Sequence, residues 1–97
     1  MKPSLALSEH ADRVREVLAR FGLHNPRIFG SAARSEDTEK SDLDVLVDPS
    51  PDTSLYDLAG AETELESLLG CKVEVVTKGF LAPDIAERAE AEATPMP

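Results

Sequence analysis

Two aspartates one residue apart, Asp42 and Asp44, stand at the head of the apolar run Leu43-Asp44-Val45-Leu46-Val47. Side chains at i and i+2 of a strand share a face, so a strand here holds both carboxylates together and turns Leu43 the other way. Neighbouring anions repel each other, and a divalent cation relieves that repulsion. Mg2+ suits the pair because it takes a few carboxylates together with waters and substrate phosphates. Upstream lies Gly30-Ser31, with Arg34 three residues further on. Glycine lets backbone approach a phosphate closely, and N–H groups opening a turn, with a serine hydroxyl, suit an anion. A guanidinium matches phosphate oxygens. Taken singly, each feature has a bland reading: Asp-x-Asp as a loop cap and a solvent-facing acid, Gly-Ser as a plain strand-to-helix turn. Their order along the chain points to a phosphate-gripping turn beside a metal-binding pair.

Those residues need a scaffold. Ala11, Val14, Val17, Leu18 and Phe21 recur at helical spacing after a candidate cap at Ser8, with Gly22 as a stop, so a helix is expected over Glu9–Phe21. Arg27-Ile28-Phe29 reads as a short strand beginning after Pro26, which cannot donate to a ladder. Ser31–Arg34 reads as a helical turn or short helix start, Ser35–Ser41 as a polar loop, and Leu43–Val47 as a buried strand. A second helix is expected from a cap at Thr53 or Ser54 to a stop at Gly70, with its glutamates Glu62, Glu64 and Glu66 facing solvent. Cys71–Thr77 reads as a third strand, Lys78-Gly79 as a turn, and Asp84 to about Glu92 as a last helix with Pro83 in its first turn. Thr94–Pro97 reads as a frayed tail. Strands separated by helices imply an α/β (α+β) domain spanning residues 1–97, with a small mixed sheet of three to four strands and helices mainly on one side.

Composition narrows the function. Asp and Glu number 19 against 10 Lys and Arg, a formal net charge of −9. General nucleic-acid binding runs on surplus Lys and Arg neutralising phosphates, so no direct nucleic-acid partner is expected. Polyanions would be handled locally, through a metal or a few arginines. The one cysteine, Cys71, excludes an intrachain disulfide and reads as a small core residue. No secretory leader or membrane-length apolar run is visible, which makes the cytoplasm the expected location.

Gly30-Ser31, Arg34 and Asp42-Leu43-Asp44 together resemble the signature of the DNA polymerase beta-like nucleotidyltransferase superfamily, and the compact chain is similar to the minimal nucleotidyltransferases, or MNT proteins. The likeness runs from the first helix to about Thr77. It implies a third carboxylate on a later strand, and Glu74 occupies that place where the family usually carries Asp. Ser35 stands where this subgroup often has Gly after the arginine. The resemblance further implies Mg2+, as two ions, held by Asp42, Asp44 and Glu74, and a nucleoside triphosphate gripped by Gly30, Ser31 and Arg34. The implied activity is transfer of AMP from ATP to a hydroxyl. No part of the chain reads as a domain for the acceptor, so the acceptor site would be completed by a partner or another copy. Relatives of this kind imply a HEPN-domain toxin as hetero-oligomeric partner, a tyrosine of that toxin as acceptor, and an antitoxin role. Two alternatives stand beside this: an antitoxin that neutralises by binding alone, and a nucleotidyltransferase acting on a small molecule.

Overall fold

The computed structural model describes residues 1–97. Its elements run α1 (Pro3–Arg20), β1 (His24–Phe29), β2 (Leu43–Asp48), α2 (Leu55–Leu69), β3 (Val73–Val76), a 3-10 turn (Lys78–Phe80), α3 (Pro83–Glu92) and β4 (Thr94–Pro95). The four strands form one sheet in the order β3-β2-β1-β4. β2 is parallel to β3 and antiparallel to β1, and β1 is antiparallel to β4, so the sheet is mixed.

Alternation along β2 divides the molecule. Leu43, Val45 and Val47 are fully buried and join Ile28, Val73 and Val75 in a core against Val14, Val17 and Leu18 of α1 and Leu58, Ala61 and Leu65 of α2. Burying such side chains contributes roughly 1.5–3 kcal/mol each. The opposite sheet face bears Asp44 and Leu46 of β2 and, directly across, Phe29 and Arg27 of β1. α3 lies over this second face, where Ile85 and Ala89 share a cleft with Phe29. Two long helices therefore cover one side, and the short third helix partly covers the other.

Several boundaries differ from the sequence reading. α1 begins at Pro3, not after Ser8, and its backbone leaves helical geometry at His10 (φ −122°). Proline suits the first helical position because its missing N–H has no partner there anyway. β1 includes Pro26: a bulge between His24 and Arg27, with Asn25 at φ 50°, takes the proline out of the regular ladder. The third strand is shorter than expected, Val73–Val76. Thr94–Pro97 is not a frayed tail, since Thr94 and Pro95 pair with Ile28 and Arg27 and Met96 is buried in the core.

Glu62 and Glu66 do not simply face solvent. One α-helical turn apart on α2, they accept the outward N–H groups of Val75 (2.8 Å) and Val73 (3.1 Å) on the sheet-edge strand β3. This satisfies donors that an edge strand would otherwise offer to another chain. Glu64, also expected to face solvent, pairs with Arg20 of α1. Ser54 caps α2 as expected, its N–H reaching the Asp57 carboxylate at 2.9 Å, and Gly70 ends the helix at φ 71°.

Candidate active site

β2 carries the site. Asp44 lies in register with Glu74 on parallel β3 and opposite Phe29 on antiparallel β1. In-register neighbours share a sheet face, so Asp44 and Glu74 point the same way. Asp42 precedes the strand, half-buried, where the N–H of Leu43 donates to the carbonyl of Lys72 (2.9 Å) and fastens the head of β2 to the approach of β3. The pairing of the strands thus sets Asp44 and Glu74 side by side on the second face, with Asp42 just ahead of β2 and near enough for its charge to act on Asp44.

Electrostatics mark Asp44 as the centre of this row. Its pKa is pushed up to about 6, first by burial, then by the charge and hydrogen bonding of Glu74 and the charge of Asp42. Arg34 pulls in the other direction, so its guanidinium lies within electrostatic reach of the carboxylates.

Gly30 meets the same residue. It follows β1 at φ 75°, and a methyl group built on it would collide with Asp44 Oδ2. Glycine is needed here twice over, for its left-handed backbone and for the space the carboxylate fills. After it, residues 31–35 form turns where a short helix start was one expected outcome. The Glu36 N–H bonds the Ser31 carbonyl (2.9 Å), the Ser35 N–H bonds that of Ala32 (3.2 Å), and Ser35 is left-handed at φ 56°. That is the Schellman arrangement, whose left-handed position is ordinarily glycine. Serine where the family resemblance favours glycine therefore changes the strain of the turn and leaves its glycine-like conformation in place. None of the turn's backbone hydrogen bonds is donated by Ser31, Ala32 or Ala33.

Arg34 is exposed but engaged. Its Nε donates to Glu36 Oε1 (2.6 Å) and its Nη1 to Glu92 Oε1 at the end of α3 (2.5 Å), and these partners raise its pKa. Asp37 is a residue the sequence reading missed. It is buried and accepts from the backbone N–H (2.8 Å) and hydroxyl (3.0 Å) of Ser4. It satisfies the first turn of α1 and tethers the loop that leads to Asp42. No local pattern marks it, because its partner lies 33 residues away. Cys71 is half-buried against the core, and burial, followed by the charge of Asp42, raises its thiol pKa.

No group of three His, Cys, Asp or Glu side chains converges tightly enough to enclose a metal ion. Mg2+ does not require such a cage, since it keeps waters and takes substrate phosphates as ligands. The row of hard oxygen donors, with mutual repulsion already raising Asp44, is the chemistry an open Mg2+ site uses.

A mixed four-stranded sheet carrying Asp44 and Glu74 beside the Gly30 turn defines a small α/β domain. The match to known proteins is more specific: residues 11–94 fit the nucleotidyltransferase domain family, and the chain belongs to it. It is 41% identical over 81 residues to the protein adenylyltransferase MntA of Thermococcus cleftensis, covering 84% of this chain and 79% of that protein. It is 37% identical over 87 residues to MJ0435 of Methanocaldococcus jannaschii, provisionally named a protein adenylyltransferase, covering 90% and 94%. A solved structure provisionally described as a minimal nucleotidyltransferase superposes with a TM-score of 0.85 at 39% identity, over 96% of this chain and 95% of that one. A toxin–antitoxin structure with AMP-PNP shares the fold at 16% identity, with a TM-score of 0.76 over 87% of this chain and 69% of that one. No helix is long and apolar enough to cross a membrane.

Proposed function

We propose that the protein is a Mg2+-dependent protein adenylyltransferase that transfers AMP from ATP to a tyrosine hydroxyl of a HEPN-domain toxin and so acts as its antitoxin. One observation carries this reading: Asp44 is flanked in register by Glu74 and approached by Gly30 so closely that no side chain fits between them. Three carboxylates in a row, on a face left half-open by a short helix, have no packing role that would justify their repulsion. Relatives named protein adenylyltransferases, and the toxin–antitoxin assemblies that share the fold, favour a protein acceptor over a small molecule.

Asp42, Asp44 and Glu74 would hold the metal, which when bound supplies charge neutralisation for the attacking and leaving oxygens. Gly30 admits the outer phosphates close to the backbone. Ser31 offers its hydroxyl and the unengaged N–H groups of its turn, and Arg34 supplies positive charge. The phenolic oxygen attacks the α-phosphorus, its proton is lost, and pyrophosphate leaves. A tyrosyl O–Pα phosphodiester bond replaces the α–β phosphoanhydride, and the phenolic proton passes to solvent. Because phosphoryl-type transfer is governed by positioning, the strands that fix the carboxylates matter as much as the carboxylates.

The test is incubation with ATP, Mg2+ and a purified HEPN-domain toxin as the proposed partner, followed by intact and peptide mass spectrometry. The expected result is addition of AMP to a partner tyrosine and loss of the partner's toxicity. A stable complex that silences the partner with no mass gain would establish neutralisation by binding alone.

A further inference from the structure

Arg34 is assigned above to the outer phosphates, yet here two carboxylates hold its guanidinium. Glu36 is a local partner, two residues away in the same turn. Glu92 comes from a different element, 58 residues on, and bonds Nη1 at 2.5 Å. We propose that Glu92 is a positioning residue that competes with the nucleotide's outer phosphates for Arg34, so that the end of α3 sets how tightly the site holds a triphosphate. The inference rests on the proposed role of Arg34 and adds a residue that neither the sequence pattern nor the family resemblance assigns.

Three features support it. First, Glu92 is fixed in place. It ends α3, and after the single residue Ala93 the chain enters β4, which pairs with Ile28 and Arg27. The carboxylate is therefore presented by a strand-anchored helix end, not by a loose tail. Second, the contact lies beside the carboxylate row. Glu92 and Phe29 line the same cleft of about 190 Å³, and Phe29 sits directly across from Asp44. Third, the pair can open. The Arg34 and Glu92 side chains are 49% and 39% exposed, so a ligand can reach the guanidinium and the carboxylate can move into water. Exchanging a singly charged carboxylate for a multiply charged phosphate chain strengthens the field at the guanidinium, so the triphosphate wins at a cost in affinity.

The experiment is calorimetric titration with a non-hydrolysable ATP analogue and Mg2+, using the parent, Glu92→Gln, Arg34→Ala, the double variant and Glu87→Gln. Glu87 is an exposed acid on the same helix that makes no ion pair, so its substitution removes the same charge without touching Arg34. Opening an exposed pair should tighten analogue binding by about two- to fivefold. Glu92→Gln should show this gain, the double variant should bind no better than Arg34→Ala, and Glu87→Gln should match the parent. Equal tightening by Glu87→Gln, or the same gain without Arg34, would overturn the inference by reducing it to overall charge. Unchanged affinity in Arg34→Ala would overturn the phosphate role of Arg34 and the inference with it. Weakened binding in Arg34→Ala with no gain in Glu92→Gln would overturn the inference alone.

Discussion

Gly30→Ala separates the demands that the site places on one position, because the fold supplies its own control. Gly30 and Gly70 have nearly the same left-handed backbone, φ 75° and 71°. A Cβ at Gly70 meets nothing within 4 Å, whereas one at Gly30 collides with the Asp44 carboxylate. Gly70→Ala therefore reads the backbone penalty alone, about 1–2 kcal/mol. For a domain of this size each kcal/mol lowers Tm by about 4–8 °C. Gly30→Ala carries that penalty plus overpacking of about 1–3 kcal/mol, for a total of roughly 2–5 kcal/mol. Activity should divide the two more sharply. Asp44 must move by about 1 Å to admit the methyl group, and a displacement of that size costs about 100-fold in rate. Gly70→Ala only extends the C-terminal cap of α2 into open space and should retain the parent's rate. The assays are thermal denaturation and initial rates of AMP transfer at saturating ATP. If Gly30→Ala were no less stable than Gly70→Ala and equally active, the close packing of Gly30 on Asp44 would not govern the site.

Other predictions follow from particular residues. Because the folded pKa of Asp44 is raised to about 6 from 3.8, the folded state binds the extra proton more tightly, and stability falls as pH rises through that window. Asp44→Asn removes this liability, so its unfolding free energy should exceed the parent's at pH 8, by about 1 kcal/mol after discounting for solvent access, and the gain should vanish below about pH 4. A gain that persisted unchanged at low pH would contradict the electrostatic origin. Ser35→Gly should raise stability by up to about 1 kcal/mol in denaturant titration, since the serine already occupies a glycine conformation, and a loss of stability would refute the strain. Glu62→Ala and Glu66→Ala should each cost roughly 1.5–3 kcal/mol by removing a charged acceptor from a strand N–H. Amide exchange at Val75 and Val73, respectively, should accelerate, and unchanged protection would show that the glutamates do not cap the edge.

The parts of the molecule legible in the sequence are those with short-range causes. The alternation in Leu43–Val47 and the stop at Gly70 declare themselves within a few residues, and the sheet and helix follow them; of the pair Asp42/Asp44, Asp44 lies within β2 while Asp42 precedes it. The glycine position at Ser35 was visible from the resemblance, and the structure supplies its reason in a Schellman turn. What escaped depends on distant partners. Asp37 looks like one more acid in a polar loop until Ser4 is beside it. Glu62 and Glu66 read as helix surface until β3 presents its edge. Thr94-Pro95 has little strand propensity, and proline is tolerated there because the partner β1 needs cover over only two residues at the sheet margin. Arg34 was named for its chemistry, but its capture by Glu92 depends on where α3 ends.

The most direct test of the account is transfer of label from α-labelled ATP to the proposed toxin partner, comparing the parent with Asp44→Asn under identical Mg2+. The account predicts label on the partner with the parent protein and a fall of at least about 100-fold with the variant, while the complex between the two proteins still forms. Transfer by Asp44→Asn at the parent's rate would contradict the assignment of the carboxylate row as the catalytic centre.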